Sequence, residues 1–205
     1  MYREVSLPAE LMQAPHSLLQ DSSALGVSSA TAALYAYIKQ NFSNNPQRVL
    51  EAGSSSGILC LMLKLAMPMW DIFGLEIQAE LHHLAIANAE NLKLQLSFVN
   101  TDLRSFHDIS GFDLIISNPP WQKLGHGLIS PNVSRAMCRT ELCCTLPDIL
   151  AFCSRNLSAG KHAVLLYPAS RKQELIQEAY KQQMRLLYTT EVEKSSLIFH
   201  LEKGQ

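Results

Sequence analysis

Residues 48–76 read RVLEAGSSSGILCLMLKLAMPMWDIFGLE, and the order of patterns within them decides the fold. "RVLEA" (48–52) is a short apolar run that stops at a glycine. "GILCLMLKLA" (57–66) places its apolar residues at helical spacing, and "WDIFGLE" (70–76) is apolar again over the length of a strand. Strand, tight turn, helix and strand form the unit of parallel sheets, because parallel neighbours need a long crossover and a helix is the compact one. In the connecting turn "EAGSSSG" (51–57), Gly53 and Gly57 permit a sharp reversal and close approach of backbone to a ligand.

Outward from this unit the alternation continues. "AELHHLAIANAENL" (79–92) reads as a helix with Leu81, Leu84 or Ala85, and Leu92 on one face. "LSFVN" (96–100) is a strand, and "FDLIIS" (112–117) is a further one whose continuous apolarity suits burial on both faces. A helix over 145–157, a strand over 162–167 and a helix over 171–183 follow, and "RLLYTTE" with "SSLIFHLE" reads as a closing antiparallel pair. On the N-terminal side, "SSATAALYAYIKQ" (28–40) is a helix with Ser28 or Ser29 as its N-cap. Residues 1–27 read as a cap or lid on a single domain spanning 28–205. The pattern predicts an α/β fold: a Rossmann-like, doubly wound, seven-stranded, mostly parallel sheet with an antiparallel C-terminal strand.

Composition narrows the class. The chain has 205 residues, 47% hydrophobic and 17% charged, with a net charge of −1, as in an ordinary globular domain. The N-terminus lacks a basic stretch followed by an apolar segment, so no signal peptide is expected. No uncharged apolar run reaches the ~18 residues of a membrane span. A cytoplasmic monomer is the expectation. The five cysteines are odd in number and form no CxxC pair, which points to reduced thiols rather than disulfides or a zinc site. The chain carries no strongly basic footprint overall. Between Asp113 and Glu141, however, there is no acidic residue, while Lys123, His126, Arg135 and Arg139 fall there. A second acid-free stretch, between Asp148 and Glu174, holds Arg155, Lys161, Arg171 and Lys172. The first is mostly loop-like after Trp121, so its bias carries more information.

The strand ends carry the chemistry. The turn at 51–57 does not meet the dinucleotide fingerprint, since position 55 is Ser and no glycine follows at 58. Glu51 would repel a pyrophosphate but suits a positive amino group. Glu76 ends the second strand of the unit, 23 residues after Gly53, where an acid accepts from ribose hydroxyls. Asp102, in "VNTDLRSF", follows the third strand and is placed to accept from an adenine amino group. After the fourth strand comes "SNPPW" (117–121). Two prolines fix two φ angles and remove two donors, so the strand leaves through a rigid turn.

These residues resemble the class I S-adenosylmethionine-dependent methyltransferases. Glu51, Gly53, Gly57, Glu76 and Asp102 fill the family's cofactor positions, with Ser55 in place of its middle glycine. "NPPW" matches the motif of the branch that methylates amino nitrogens held in a planar system. In that branch Asn118 supplies a side-chain carbonyl and Pro119 a backbone carbonyl to the two N–H bonds of the acceptor amine. Pro120 stiffens the turn and Trp121 stacks on the base, which contributes ~1–3 kcal/mol. The following segment is similar to the bacterial tRNA adenine-N6 methyltransferases that modify the anticodon loop of a valine tRNA. The matching residues are Ser130, Pro131, Asn132, Arg135, Arg139 and Glu141. "GVSSATAAL" (26–34) resembles the segment that closes over the cofactor in this branch.

The resemblance implies S-adenosylmethionine as cofactor and tRNA as partner. Asn118 also adjoins the cofactor, and Lys123, Asn132, Arg135 and Arg139 contact RNA, although Arg139 could instead pair with Glu141 or a nearby acid. No metal is implied. The rival readings are a protein-glutamine N5-methyltransferase, an rRNA base N-methyltransferase and a silent RNA- or partner-binding module. Against the glutamine reading, only about 25 residues precede the fold and no Glu-Pro follows the motif.

Overall fold

The computed structural model describes residues 2–5, 18–21, 29–193 and 195–205. Two short strands, β1 (Tyr2–Val5) and β2 (Leu18–Asp21), pair antiparallel. The remainder of the expected cap segment, with Ser28, lies outside the described residues. Helix α1 (Ser29–Asn41) then leads into the main sheet.

The opening unit folds as expected: β3 (Arg48–Ala52), α2 (Ile58–Ala66) and β4 (Asp71–Glu76). Helix α3 (Ala79–Asn91), β5 (Ser97–Asn100) and β6 (Phe112–Ser117) follow. After a short helix α4 (Val133–Arg139) come α5 (Leu146–Asn156), β7 (Leu157–Pro168), α6 (Lys172–Lys181), β8 (Met184–Glu193) and β9 (Ser196–Lys203). The seven strands are ordered β5-β4-β3-β6-β7-β9-β8. β3 pairs parallel with β4 and β6, β4 with β5 and β6 with β7, while β9 runs antiparallel to both β7 and β8. The fold class read from the sequence is the one observed.

Side-chain parity builds the two layers. Successive residues of a strand face opposite ways. Val49, Leu114 and Ile116 therefore join one core with α1 and α2, while Leu50 and Ile115 join the other with α5 and α6. Fully burying each of these large side chains contributes ~1.5–3 kcal/mol. Trp70 is fully buried and its indole N–H donates to Ser43 O at 3.1 Å. Helix α5 begins with a capping box, in which Thr145 and Asp148 satisfy each other's backbone N–H.

Helix α1 is held to the sheet by a polar contact. The Tyr37 hydroxyl and His200 Nδ1 lie 2.9 Å apart, and the His200 ring meets His162 edge-on at 4.9 Å. Burial, and then the neighbouring His162, push the His200 pKa from its ordinary 6.5 down to about 4. The folded protein thus keeps this ring neutral while the unfolded chain protonates it. The stabilisation is complete above pH 6.5 and is lost as pH falls through 4. His200→Gln, which still accepts from Tyr37, is expected to gain several degrees in melting temperature over the unsubstituted protein at pH 5 relative to pH 7; an identical pH slope in the two would exclude His200 as a titrating group.

Candidate active site

Four strand ends meet at one edge of the sheet, and hydrogen bonds between them fix their relative positions. The Gly53 and Ser54 amides both donate to Leu75 O, at 2.8 and 3.0 Å. The Ser117 hydroxyl donates to Ala52 O at 2.7 Å, and the Asn100 side-chain amide donates to Glu76 O at 2.8 Å. The ends of β3, β4, β5 and β6 therefore open onto one cavity. Glu51, Gly53, Ser55, Glu76, Asp102, Asn118, Pro119 and Pro120 all line it.

Glu51 is buried beneath α2, and its carboxylate accepts from the Cys60 thiol at 2.9 Å. Burial raises its pKa from 4.5 to about 8, so a cation entering the cavity would meet a group ready to give up its proton. Glu76 is also buried, and one oxygen accepts from the Ser55 amide at 2.8 Å while the other accepts from the Gln78 amide at 2.9 Å. Each oxygen keeps a further lone pair, so the carboxylate can receive two hydroxyls side by side. Burial raises its pKa, against the pull of these amides. Asp102 is engaged by Arg104, whose Nε reaches both carboxylate oxygens at 3.0 Å and whose side chain is half-exposed. That contact holds the Asp102 pKa below the usual carboxylate range.

The two glycines of the turn have different causes. Both have φ of +78°, which favours a residue without Cβ. At Gly53 a Cβ would meet nothing within 4 Å, so the backbone lies open to the cavity. At Gly57 a Cβ would lie 2.9 Å from the Phe98 ring and 3.0 Å from Ala85, so this glycine serves packing, and it does not line the cavity. Ser55 takes φ of +51° although it is not glycine, and its amide is tied to Glu76 in that conformation.

Just past the end of β6, beside the turn that follows β3, Asn118 is exposed and Pro119 is buried. Among the described residues, neither the Asn118 side chain nor the Pro119 carbonyl is hydrogen-bonded to another protein group. Trp121 is placed differently from the stacking position expected of it. Its indole packs against both cores, its N–H donates to Leu166 O at 3.1 Å, and it does not line the cavity. Lys123 pairs with Glu174 at 2.8 Å. Asn132 caps α4, accepting from the Arg135 amide at 2.8 Å. Arg135 and Arg139 are exposed on that helix, one turn apart. Glu141 is buried and paired with Arg171 at 2.9 Å rather than with Arg139.

Several lining residues escape a sequence reading. Thr31 and Leu34 of α1 reach the cavity, as do Gln78, Leu103, Met137, Cys138, Cys143 and Cys144. The first two belong to the 26–34 segment, of which residues 26–28 are outside the described residues. For the wall around Met137 and Cys144, the one signal was a cluster of soft residues soon after the Asn-Pro-Pro turn. All five cysteines are free thiols. Among the described residues, no His, Cys, Asp and Glu cluster could hold a metal, and no helix is long and apolar enough to cross a membrane.

Comparison with known proteins gives a consistent set of relatives. The family model for the methyltransferase small domain matches residues 22–140. The chain is 31% identical over 137 residues to the tRNA1(Val) (adenine(37)-N6)-methyltransferase of Porphyromonas gingivalis, covering 63% of this chain and 53% of that protein. It is 38% identical over 74 residues to the release factor glutamine methyltransferase of Streptococcus pneumoniae, covering 36% of this chain and 26% of that protein. The chain thus spans about half the length of the adenine-N6 relative. The crystal structure of TrmN from Thermus thermophilus has the same fold, with a TM-score of 0.66 at 22% identity over 86% of this chain and 50% of that one.

Glu51 yields a sign-definite expectation. Its carboxyl stays protonated in the folded protein up to about pH 8, whereas in the unfolded chain it ionises near 4.5. The stability linked to it is full below pH 4.5 and is lost as pH rises through 8. Glu51→Gln is expected to raise the melting temperature by several degrees at pH 8 and little at pH 5, read by thermal denaturation of the ligand-free protein. An equal gain at both pH values would show that Glu51 is not the titrating group.

Proposed function

The chain belongs to the methyltransferase small domain family, and we propose that it transfers a methyl group from S-adenosylmethionine to an exocyclic amino nitrogen, N6 of an adenine in tRNA. The observation that carries this reading is one cavity shared by two sets of residues. Glu51, Gly53, Glu76 and Asp102, from the ends of β3, β4 and β5, line it together with Asn118, Pro119 and Pro120, which follow β6.

The residues present fit the cofactor. Glu51 suits its ammonium group, the open backbone at Gly53 leaves room beside the turn, and the two free lone-pair positions on Glu76 suit a ribose diol. Asp102 becomes available to an adenine amino group when the half-exposed Arg104 side chain swings aside. When bound, the cofactor supplies a methyl group made electrophilic by a positively charged sulfur.

The chain's part is to prepare the nitrogen. The lone pair of an adenine amine is delocalised into its ring, which makes it a poor nucleophile. Asn118 Oδ1 and the Pro119 carbonyl accept its two N–H bonds, return electron density to the nitrogen and aim it into the cavity. The methylated nitrogen then sheds one proton, which these two oxygens hold in a hydrogen bond until water at the open mouth takes it. Positioning for in-line attack supplies most of the acceleration, so no carboxylate base is required. The adenine has to leave its stack to reach Asn118. Arg135 and Arg139 serve the RNA phosphates, and Lys123 joins them by exchanging Glu174 for phosphate.

A protein-glutamine acceptor is the second reading, supported by the match to the glutamine methyltransferase and by the planarity of a side-chain amide. The decisive experiment supplies labelled S-adenosylmethionine to the protein with unmodified tRNA and, in parallel, with protein extract, followed by nucleoside mass spectrometry. Label is expected as N6-methyladenosine, reduced by about a hundredfold or more in Asn118→Ala. Label in protein alone would replace the RNA reading with the glutamine one. Replacing Arg135 and Arg139 together with Ala should weaken tRNA binding and reduce its salt slope by up to ~2; an unchanged slope would remove both from the interface.

A further inference from the structure

Residues 121–141 leave the sheet edge and return to it at the same place. The Trp121 and Gln122 amides both donate to Arg139 O, at 3.2 and 2.9 Å, and the Glu141 amide donates to Gln122 O at 2.8 Å. Gln122 and Thr140 thus form an isolated parallel bridge that closes the excursion. Beneath this closure lies Arg171, at the end of the 3-10 turn that follows β7, 7% exposed. One terminal nitrogen donates to the Trp121 carbonyl at 3.2 Å and to the Glu141 carboxylate at 2.9 Å. Nε and the other terminal nitrogen donate to both oxygens of Glu174, at 2.8 and 2.9 Å. The guanidinium also lies over the Tyr167 ring, 5.7 Å from its centroid.

We propose that Arg171 is a positioning residue for the methyl acceptor, clamping the exit of the Asn118–Trp121 turn and the returning strand at Glu141 to the end of β7. The proposal rests on the reading of that turn as the acceptor side of the cavity. A planar fork is needed, because one cation must serve a backbone carbonyl and two carboxylates in fixed directions. Glu141, 6% exposed, is the buried counter-charge that lets the guanidinium sit there. Through Trp121 the clamp sets where Asn118 and Pro119 stand, and through Glu141 and Glu174 it sets where α4 and Lys123 stand. The cofactor-side residues belong to β3 and the turn after it, to β4 and to the turn after β5, and Arg171 is bonded to none of them.

The test separates positioning from stability. Arg171→Lys keeps the charge and loses the fork, and the double variant Glu141→Met, Arg171→Met removes the pair while refilling its volume, which commonly restores stability. In both, hydrogen exchange at the amides of Trp121, Gln122 and Glu141 is expected to accelerate while the strands β3 and β4 keep their protection. Affinity for S-adenosylhomocysteine should stay within about twofold, and kcat/KM for the acceptor should fall about ten- to a hundredfold even where the melting temperature is retained. Unchanged exchange at the three amides, or activity that follows the melting temperature alone, overturns the proposal. If the unsubstituted protein methylates protein and not RNA, the same comparison is made on that acceptor. Failure of the RNA reading and failure of the clamp therefore give different results.

Discussion

Parallel strands deliver their loops to one place only when they end in register. Here β3 lies between β4 and β6, and its last residue is bonded on one side while the turn beyond it is bonded on the other: Ser117 reaches Ala52 O, and Gly53 and Ser54 reach Leu75 O. A slip of one residue would turn Val49 and Leu50 to each other's faces and carry Glu51 out from under α2. The burial of Glu51 is thus a result of strand parity: position 51 faces the same way as Val49, and the Cys60 thiol is the partner that this face supplies. Its raised pKa is the local electrostatic cost of a register that the two apolar cores enforce.

Most of the fold could be read from the chain because the signals are local. The apolar run at 112–117 coincides with β6, and the helical spacing at 57–66 gives α2 with Gly57 as its N-cap. The strand-end acids were legible for the same reason, since each sits a fixed distance from its turn. What could not be read depends on segments far apart in the chain. Glu141 finds Arg171, thirty residues on, rather than its near neighbour Arg139. Trp121 turns its indole into the junction of the two cores because Leu166 presents a carbonyl there, and no periodicity records that. The cavity wall of Met137, Cys138, Cys143 and Cys144 comes from a loop folding back, and its residues would suit any core.

Ser55 shows how a departure from a glycine pattern is accommodated. A non-glycine residue in the left-handed region costs roughly 1–2 kcal/mol. At Ser55 the same conformation aims its amide at the buried Glu76 carboxylate, a charge-assisted bond of the stronger kind. The residue thus trades backbone strain for orientation of the acid that it borders.

The excursion closed by Gln122 and Thr140 begins and ends within one backbone bridge. No strand of the sheet runs through it, and both cores are complete without its exposed side chains, among them Leu128 and Val133. A segment anchored in this way is modular. It can lengthen, shorten or be exchanged between relatives while the sheet and the Asn-Pro-Pro turn stay as they are. Met137 and Cys138 on its inner side line the shared cavity, so a change in this one contiguous segment also redraws that wall while the strand ends keep their places.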